Sequence, residues 1–305
     1  MTSRNWVDSV QLASLVGDLR AAGRSGGRIP PLLAAPQEGG PYRAFPDQPP
    51  VERQLDIGDA GDPGLAESSA RAAGIALRKL GFDMNLFPVA DVAPLDSPIG
   101  DRAYSDDPVV AEALTAAAIR GCRAAGIACA PKHFPGLGAA SQSTGEGPAR
   151  VGFDELTLHD RDLLPFEAAF AEGAEAVVLS HAFYTAYDPV TPASLTPLVT
   201  FELLREELGF EGVAITDDLG AGAIVARGAA AEAGGQGPAG GSAVTAAAVA
   251  ALQAGADLLM ISEPQDQEGV AKAILEAVGT GELSEGRLDE AVGRVLLLKQ
   301  ELGLL

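Results

Sequence analysis

The stretch Ile127-Ala128-Cys129-Ala130-Pro131-Lys132-His133-Phe134-Pro135-Gly136-Leu137-Gly138 joins a short apolar run to a cation, an imidazole and a Pro/Gly turn. An apolar run bounded by such a turn is typical of a buried β-strand. Lys132 and His133 then stand where the strand leaves the sheet. In parallel α/β proteins that edge carries the functional groups, so the stretch predicts both a strand and a site.

The same unit recurs along the chain, because short apolar runs alternate with longer segments that have apolar residues at three- and four-residue spacing. This alternation predicts successive βα units and a parallel sheet. The six predicted strands are Pro31–Ala35, Met84–Val89, Ile127–Pro131, Ala176–Ser180, Val213–Thr216 and Asp257–Ile261. The predicted helices are Ser9–Ala22, Gly64–Leu80, Val109–Ala125, Asp160–Glu172, Thr200–Leu208, Ala243–Ala254, Gln267–Val278 and Ser284–Leu302.

Bulk properties restrict the function. The 305 residues, 47% of them hydrophobic, supply one large core, and we take residues 1–305 as a single domain. The formal charge of −21 opposes binding to nucleic acid or to an anionic membrane and favours a neutral substrate. Because Met1–Asp8 holds no apolar run of signal-peptide length and no later stretch has the length of a membrane span, we expect a cytoplasmic protein.

Two features suggest no chemistry of their own. Cys122 and Cys129 lie seven residues apart without a second pair, which indicates neither a disulfide framework nor a zinc site, and we expect two small buried apolar residues. The segment Arg227–Gly241 is predicted to be a loop rather than a helix or strand, because it holds Gly234, Gly235, Gly237, Gly240 and Gly241. It is either a mobile lid over the site or a disordered surface loop.

Polar groups follow most of the predicted strands. They are Gln37-Glu38-Gly39-Gly40, Asp91, Lys132-His133, Ser180-His181 and Asp217-Asp218. Since the carboxyl ends of parallel strands meet at one face, we expect these groups to surround one pocket. The alternative for each is local: a hydrogen-bonded core histidine, or an aspartate that caps the following segment.

The run from Lys132 to Gly138 resembles the K-H-F-P-G-x-G signature of glycoside hydrolase family 3, particularly the single-domain β-N-acetylhexosaminidases of bacterial cell-wall recycling. Further matches follow in the family's order at Gln37–Gly40, Phe87–Val92, Ile99–Tyr104, Asp162–Phe166 and Gly212–Leu219. The resemblance covers nearly the whole chain. It implies a TIM-type (β/α) barrel that hydrolyses O-glycosyl bonds with retention, with a carbohydrate as its partner.

Residue roles carried over from the resemblance start with Asp217, the first aspartate of the T/S-D-D-L turn, as nucleophile. Arg102, Lys132 and His133 would hold sugar hydroxyls or the N-acetyl carbonyl, and their charge would help to keep Asp217 ionised. Asp91 and His181 complete the predicted substrate-binding set. A solvated Arg102 or a structural pair between Lys132 and a carboxylate is the alternative.

The chain departs from the family at its acid/base. The family carries an Asp-Ser-His triplet on the loop after the signature, and here Ser143, Thr144 and Gly145 occupy those places. Glu146 is the nearest titratable substitute, or else a solvated loop residue. In the family's D-Q-E-G-G-R motif, Pro36 and Pro41 replace the aspartate and the arginine, which removes a hydroxyl acceptor and a cation.

The N-terminal residues resemble the family segment that follows its second strand, so the first two βα units are absent from this sequence. We therefore expect an incomplete barrel of about six strands, with a gap between the strand near Ile261 and the strand near Leu33. Either the chain start is set too late, or the open edge is covered by self-association.

Three hypotheses remain at this point. The first is a retaining glycosidase of β-N-acetylhexosaminidase type, and the second is a catalytically impaired relative that binds sugars or regulates. The third, an aldolase-like barrel that uses Lys132 as a Schiff base, gives no reason for the Asp217 turn. No metal or organic cofactor is expected, since the sequence has neither ligand spacing nor a phosphate-binding glycine loop.

Overall fold

The computed structural model describes residues 1–25, 29–233 and 242–305. Their strands are short and run in parallel, each followed by helical structure. The strands are β1 Ala34–Ala35, β2 Met84–Asn85, β3 Ala128–Cys129, β4 Lys132–Phe134, β5 Arg150–Val151, β6 Ala176–Leu179, β7 Phe183–Tyr184, β8 Val213–Asp218 and β9 Leu258–Met260. The fold is α/β with the parallel strands of a TIM-type barrel, as predicted.

The helices connect the strands and pack around them. The α-helices are α1 Ser9–Arg24, α2 Gln54–Ala60, α3 Pro63–Lys79, α4 Pro108–Ala125, α5 Glu155–Thr157, α6 Leu164–Ala171, α7 Gly222–Ala233, α8 Ala243–Ala254, α9 Pro264–Thr280 and α10 Glu285–Glu301. Leu158–Asp162 and Leu198–Glu207 are π-helical, and Ser3–Asn5, Gly100–Arg102 and Ala193–Leu195 form 3₁₀ turns. In the described part of the chain, each helix is too short or too polar to cross a membrane.

The strand order follows the sequence, as predicted. β1 pairs with β2 and β2 with β3, while β4, β6, β8 and β9 form a second parallel ladder. The two ladders meet in one stretch of chain, because β3 and β4 flank Pro131 and a parallel bridge joins Val89 to Lys132. Among the described residues the order ends at β1 on one side and β9 on the other, where the gap was predicted. β5 and β7, which the sequence did not predict, form a separate parallel pair.

The sheet is buried on both faces, as parallel sheets require. In β6, Val177 and Leu179 belong to the core formed with the surrounding helices. The alternate residues Ala176 and Val178 pack on the other face of the sheet, together with Leu298 of α10. The C-terminal helix therefore contributes to the same face from which Val178 reaches the pocket described below.

Helix boundaries follow from caps that the sequence makes visible. α4 begins where the Asp107 side chain accepts hydrogen bonds from the N–H groups of Val109 and Val110, with Pro108 in the first turn. It ends at Gly126, whose φ of 68° closes the last turn. The predicted helix Val109–Ala125 is thus correct to within one residue.

The N-terminal segment packs on the first half of the sheet. The Trp6 ring lies 5.4 Å from the Phe45 ring, and Phe45 in turn lies 5.1 Å from Phe82. Trp6 contacts the core that holds helices α1, α3 and α4 together. The backbone nitrogen of Met1 donates to the Ala34 carbonyl over 2.6 Å, so this segment also covers part of the edge of β1.

Two predictions are wrong. Cys122 at the end of α4 and Cys129 in β3 form a disulfide, because the turn between helix and strand brings their Cα atoms to 6.2 Å. The prediction of a loop over Arg227–Gly241 fails at its start, since α7 continues through Ala233 on an alanine-rich sequence with high helix propensity. Residues 234–241, which hold the five glycines of the prediction, lie outside the described residues.

Candidate active site

A pocket of about 320 Å³ opens at the carboxyl ends of β4 and β8. Its charged wall consists of Glu38, Arg102, Lys132, His133 and Asp217. Its apolar wall includes Pro36, Leu86, Ile99, Val178 and Met260. Larger surface cavities, of about 740, 500 and 460 Å³, lie elsewhere and hold none of the predicted site residues. Of the predicted site residues, Arg102, Lys132, His133 and Asp217 converge here, because parallel strands present their carboxyl ends on one face. The lining does not include Asp91, His181 or Glu146.

Glu38 holds the two long cations of the pocket. Its carboxylate accepts both Nε and Nη2 of Arg102, at 2.9 and 2.8 Å, and lies 2.5 Å from the Lys132 ammonium. Burial alone would raise the pKa of Glu38, but Lys132 and Arg102 lower it to about 2. Glu38 is therefore ionised at neutral pH and cannot serve as a proton donor.

Glu38 also acts on the pKa of both cations. Burial lowers the pKa of Lys132, and Glu38 opposes this effect. Burial also acts to lower the pKa of Arg102, but the bidentate pairing with Glu38 outweighs it and raises that pKa. A structural pair between Lys132 and a carboxylate was the alternative to a substrate-binding Lys132. The pair exists, with Glu38 as the carboxylate, and it lies in the pocket wall.

Asp91 orients His133 and the turn that follows. It is fully buried, and its Oδ2 lies 2.8 Å from His133 Nδ1. Its Oδ1 accepts the backbone N–H groups of His133 at 3.1 Å and Leu137 at 2.6 Å. Asp91 thus does not line the pocket; it fixes the ring that does.

Asp217 is the last residue but one of β8 and is partly exposed in the pocket. Burial acts to raise its pKa, but His133, the Asp218 N–H and Lys132 together lower it. The Asp218 N–H donates to Asp217 Oδ1 over 2.8 Å. A carboxylate kept ionised in this way is available as a nucleophile.

His181 supports this strand end from behind. The ring is fully buried, and burial lowers the pKa of His181 although Asp217 acts to raise it. In the neutral ring, Nε2–H donates to the Asp218 carbonyl at 3.0 Å and Nδ1 accepts from the Ser194 hydroxyl at 2.6 Å. Both ring nitrogens are used within the protein, so His181 positions β8 and does not line the pocket.

The loop 143–147 closes one side of the pocket. Ser143, Thr144 and Gly145 line it, whereas Glu146 is exposed and lies outside the lining. The loop is attached to the start of α7, since Gly222 N donates to the Gly145 carbonyl at 3.1 Å and Ala223 N to that of Thr144 at 2.9 Å. The structure does not bring Glu146 towards Asp217.

The Pro/Gly turn after His133 packs closely against a buried aspartate, Asp162. Gly136 has a φ of 124°, and a Cβ at this position would lie 2.6 Å from the Asp162 Cβ. Burial raises the pKa of Asp162 to about 7. Arg161 acts to lower this pKa, and Asp91 acts to raise it. The glycine in the sequence signature is therefore required both by its backbone conformation and by close packing.

The proline replacements have unequal consequences. Pro36 lines the pocket, so its ring takes the place of a polar group in the wall, whereas Pro41 is exposed and lies outside the lining. No group of three or more His, Cys, Asp or Glu side chains suited to a metal occurs within the described ranges. The expectation that no metal or cofactor is needed stays a prediction.

Comparison with known proteins identifies the family. A model described as the glycosyl hydrolase family 3 N-terminal domain matches residues 1–298. The chain belongs to glycoside hydrolase family 3. The resemblance inferred from Lys132–Gly138 is confirmed by this match, and so is the link to β-hexosaminidases.

Several family 3 proteins resemble this chain closely. A beta-hexosaminidase of Stenotrophomonas maltophilia strain K279a is 36% identical over 291 residues, which is 92% of this chain and 80% of the relative. A beta-hexosaminidase of Methylococcus capsulatus is 33% identical over 306 residues, or 96% of this chain and 83% of the relative.

Solved structures of family 3 proteins also resemble this chain. A family 3 beta-N-acetylglucosaminidase from Paenibacillus sp. FPU-7 superposes with a TM-score of 0.90 at 33% identity over the full chain, which spans 56% of that protein. A beta-N-acetylhexosaminidase from Beutenbergia cavernae gives a TM-score of 0.82 at 29% identity, with 96% of this chain and 86% of that protein covered.

Proposed function

We propose that this family 3 chain hydrolyses β-glycosides of the N-acetylhexosaminide type with retention of configuration. The observation that carries the proposal is Asp217, a carboxylate in the pocket that its neighbours keep ionised. The lining donors on Arg102, Lys132 and His133 suit the hydroxyl and carbonyl oxygens of a sugar. The named activities of the relatives from Stenotrophomonas and Paenibacillus support the substrate class.

The reaction proceeds in two steps. Asp217 attacks the anomeric carbon, a carbon–oxygen bond forms, and the bond to the leaving oxygen breaks with its electron pair. Water then attacks the anomeric carbon of the glycosyl ester, which releases the sugar and regenerates the Asp217 carboxylate. The first step needs a proton for a sugar alkoxide, and the second needs a base for the water.

The loop 143–147 limits this chemistry. Ser143 and Thr144 line the pocket but do not titrate near neutral pH, and Glu146 is exposed. General acid/base help typically contributes about a hundred- to ten-thousand-fold. We therefore expect slow cleavage of natural disaccharides and measurable cleavage of nitrophenyl glycosides, whose leaving group departs without protonation.

Azide tests this proposal, because the anion attacks a glycosyl ester without base activation. We expect azide to accelerate release of nitrophenol from a nitrophenyl β-N-acetylglucosaminide and to yield a β-glycosyl azide. Asp217→Asn should lower this rate by roughly ten-thousand-fold or more. An azide-stimulated rate that survives in Asp217→Asn would exclude Asp217 as the nucleophile.

A sugar-binding role without turnover is the second candidate, and the missing donor in the loop 143–147 favours it. It predicts measurable binding of N-acetylglucosamine in a calorimetric titration, together with no hydrolysis of any aryl glycoside with or without azide. Asp217→Asn would then leave the binding constant within a few-fold of the wild-type value. Rapid disaccharide cleavage with a bell-shaped pH profile would contradict both this role and the missing-acid argument.

A further inference from the structure

A cluster of three arginines surrounds one buried carboxylate at the end of the sheet opposite the pocket. Asp257, which directly precedes β9, has a side chain with no exposed surface. It accepts Nη2 of Arg205 and Nη2 of Arg287, both at 2.7 Å, and Nη1 of Arg294 at 3.3 Å. The arginine side chains are themselves 8, 14 and 22% exposed, respectively.

The charges in this cluster do not balance. A second carboxylate, Glu290, lies 2.7 Å from both Arg287 Nη1 and Arg294 Nη1 and is 46% exposed. Three guanidinium groups thus face two carboxylates, which leaves one positive charge in excess. Burial lowers the pKa of Arg205 to about 10. Asp257 acts to raise this pKa, whereas Arg294 and Arg287 lower it further.

Hydrogen bonding is incomplete as well. Arg205 donates through Nη1 to the carbonyls of Phe210 and Gly212 and through Nη2 to Asp257. Its Nε–H is buried and meets no acceptor among the described residues. A buried guanidinium that retains an unused donor is costly unless another acceptor completes it.

A cavity adjoins the cluster. It measures about 300 Å³, and its wall includes Arg205, Arg287, Arg294 and Glu290. Pro197 and Phe201 form its apolar side, and Phe201 is 45% exposed. The space is large enough for a small organic molecule, and the wall offers planar cations on one side and an aromatic ring on the other.

We propose that this cavity at the amino ends of β8 and β9 binds a small oxyanion, a phosphate or carboxylate group, at the arginine cluster. The anion balances the excess positive charge and accepts hydrogen bonds from the guanidinium groups in the cavity wall. Guanidinium groups match the planar geometry of such anions. The site faces away from the Asp217 pocket, so its ligand is not the glycosidic substrate.

The net charge of the chain does not oppose the site decisively. The formal charge of −21 is spread over the whole surface, and salt screens charges beyond about 8–10 Å. An anion bound within hydrogen-bond distance of the arginines would be attracted to them with much less screening. Residues at the amino ends of barrel strands usually serve stability, and the cluster would do so too if it held only its own carboxylates.

Thermal unfolding with and without phosphate separates these two roles. At matched ionic strength, 10 mM inorganic phosphate (a concentration of about ten Kd for a millimolar site) should raise the Tm of the wild type by about 2–4 °C. Arg294→Gln should abolish most of this shift. Arg120→Gln is the matched control, because Arg120 also pairs with two carboxylates, Glu172 at 2.7 Å and Glu67 at 3.3 Å, outside the cavity.

Glu290→Gln provides a second test, in which phosphate binding is expected to become tighter rather than weaker. It removes a partly exposed carboxylate and leaves the buried Asp257 with all three arginines, so phosphate should bind about three- to tenfold more tightly in a calorimetric titration. A purely structural cluster predicts no gain. Phenyl phosphate should bind more tightly than inorganic phosphate if Phe201 contacts an organic part, and equally if the site takes the free anion.

Three results would overturn the proposal. One is the absence of any phosphate-induced shift and binding heat in the wild type. Another is a phosphate shift that Arg294→Gln retains in full, which would locate the anion elsewhere, for example at Lys132 and Arg102. The third is an unchanged or weaker phosphate affinity in Glu290→Gln.

Discussion

Both ends of the sheet contain a buried carboxylate surrounded by cations, yet the two clusters differ in what completes them. At the carboxyl ends, Glu38 holds Arg102 and Lys132, and the nearby Asp217 supplies the second negative charge. At the amino ends, Asp257 holds three arginines, and Glu290 leaves one of their charges uncompensated. A balanced cluster can thus leave one carboxylate free for chemistry, whereas an unbalanced cluster favours binding of an anion.

Removing each central carboxylate gives the largest expected effect. Glu38→Gln leaves the buried Lys132 and the half-buried Arg102 without their partner, so it should destabilise the fold by about 3–5 kcal/mol. It should also lower kcat/KM on a nitrophenyl glycoside by roughly a hundredfold, because Lys132 and Arg102 lose their fixed geometry. Denaturant unfolding and steady-state kinetics measure the two effects.

Asp257→Asn is the matched control for that change. It should cost a similar 3–5 kcal/mol of stability, but kcat/KM of the folded fraction should stay within about threefold. Equal losses of activity in both variants would show that the two clusters are coupled through the sheet and do not act separately.

Acid should abolish the stabilisation that Glu38 provides. The pKa of Glu38 in the folded state, about 2, lies below the ordinary value of 4.5, so its stabilisation is complete above pH 4.5 and disappears as the pH falls towards 2. A shift of this size corresponds to about 3 kcal/mol. The difference in unfolding free energy between the wild type and Glu38→Gln should therefore shrink between pH 5 and pH 3. A constant difference would show that the charge of Glu38 is not what stabilises the pocket.

A smaller effect is expected from the loop at the pocket. A Cβ at Gly222 would lie 2.7 Å from both the Gly145 carbonyl oxygen and the Glu146 carbonyl carbon. Gly222→Ala should displace the loop 143–147 and lower kcat/KM about tenfold, since small displacements at a site are costly. Gly152→Ala, where a Cβ meets nothing within 4 Å, should leave it unchanged. The phosphate-induced shift at the Asp257 cluster should be the same in both variants.

Glu146→Gln should have the smallest effect. Because Glu146 is exposed and does not line the pocket, kcat/KM should change by less than about twofold on both aryl glycosides and disaccharides. A loss that is large on disaccharides and absent on aryl glycosides would instead identify Glu146 as the proton donor.

The sequence predicted the fold through its periodicity. Six apolar runs alternate with helical patterns, which predicts a parallel sheet, and their chain order equals their order in the sheet. The TIM-type barrel itself was inferred from the family resemblance. Strand lengths were overestimated because apolar runs such as Pro31–Ala35 extend past their hydrogen-bonded residues. Pro131 also divides the third strand, whose two parts pair with different neighbours.

The contacts of the site were less predictable. Motif matching put Lys132 and Asp217 at strand ends, where the pocket lies. The role of Glu38 was missed although its motif was noted, because its pairing with Arg102 spans 64 residues and depends on the folded sheet. The disulfide was missed for a similar reason: residue spacing does not reveal how a helix end approaches a strand.

The position of the single tryptophan determines what intrinsic fluorescence can report. Trp6 is the only indole in the chain, and its ring packs against Phe45 on the first half of the sheet. Selectively excited emission therefore records the release of the N-terminal segment, whereas far-ultraviolet circular dichroism records all helices together. Coincident denaturation curves from the two signals would indicate one cooperative transition, and an earlier fluorescence change would show that this segment detaches first.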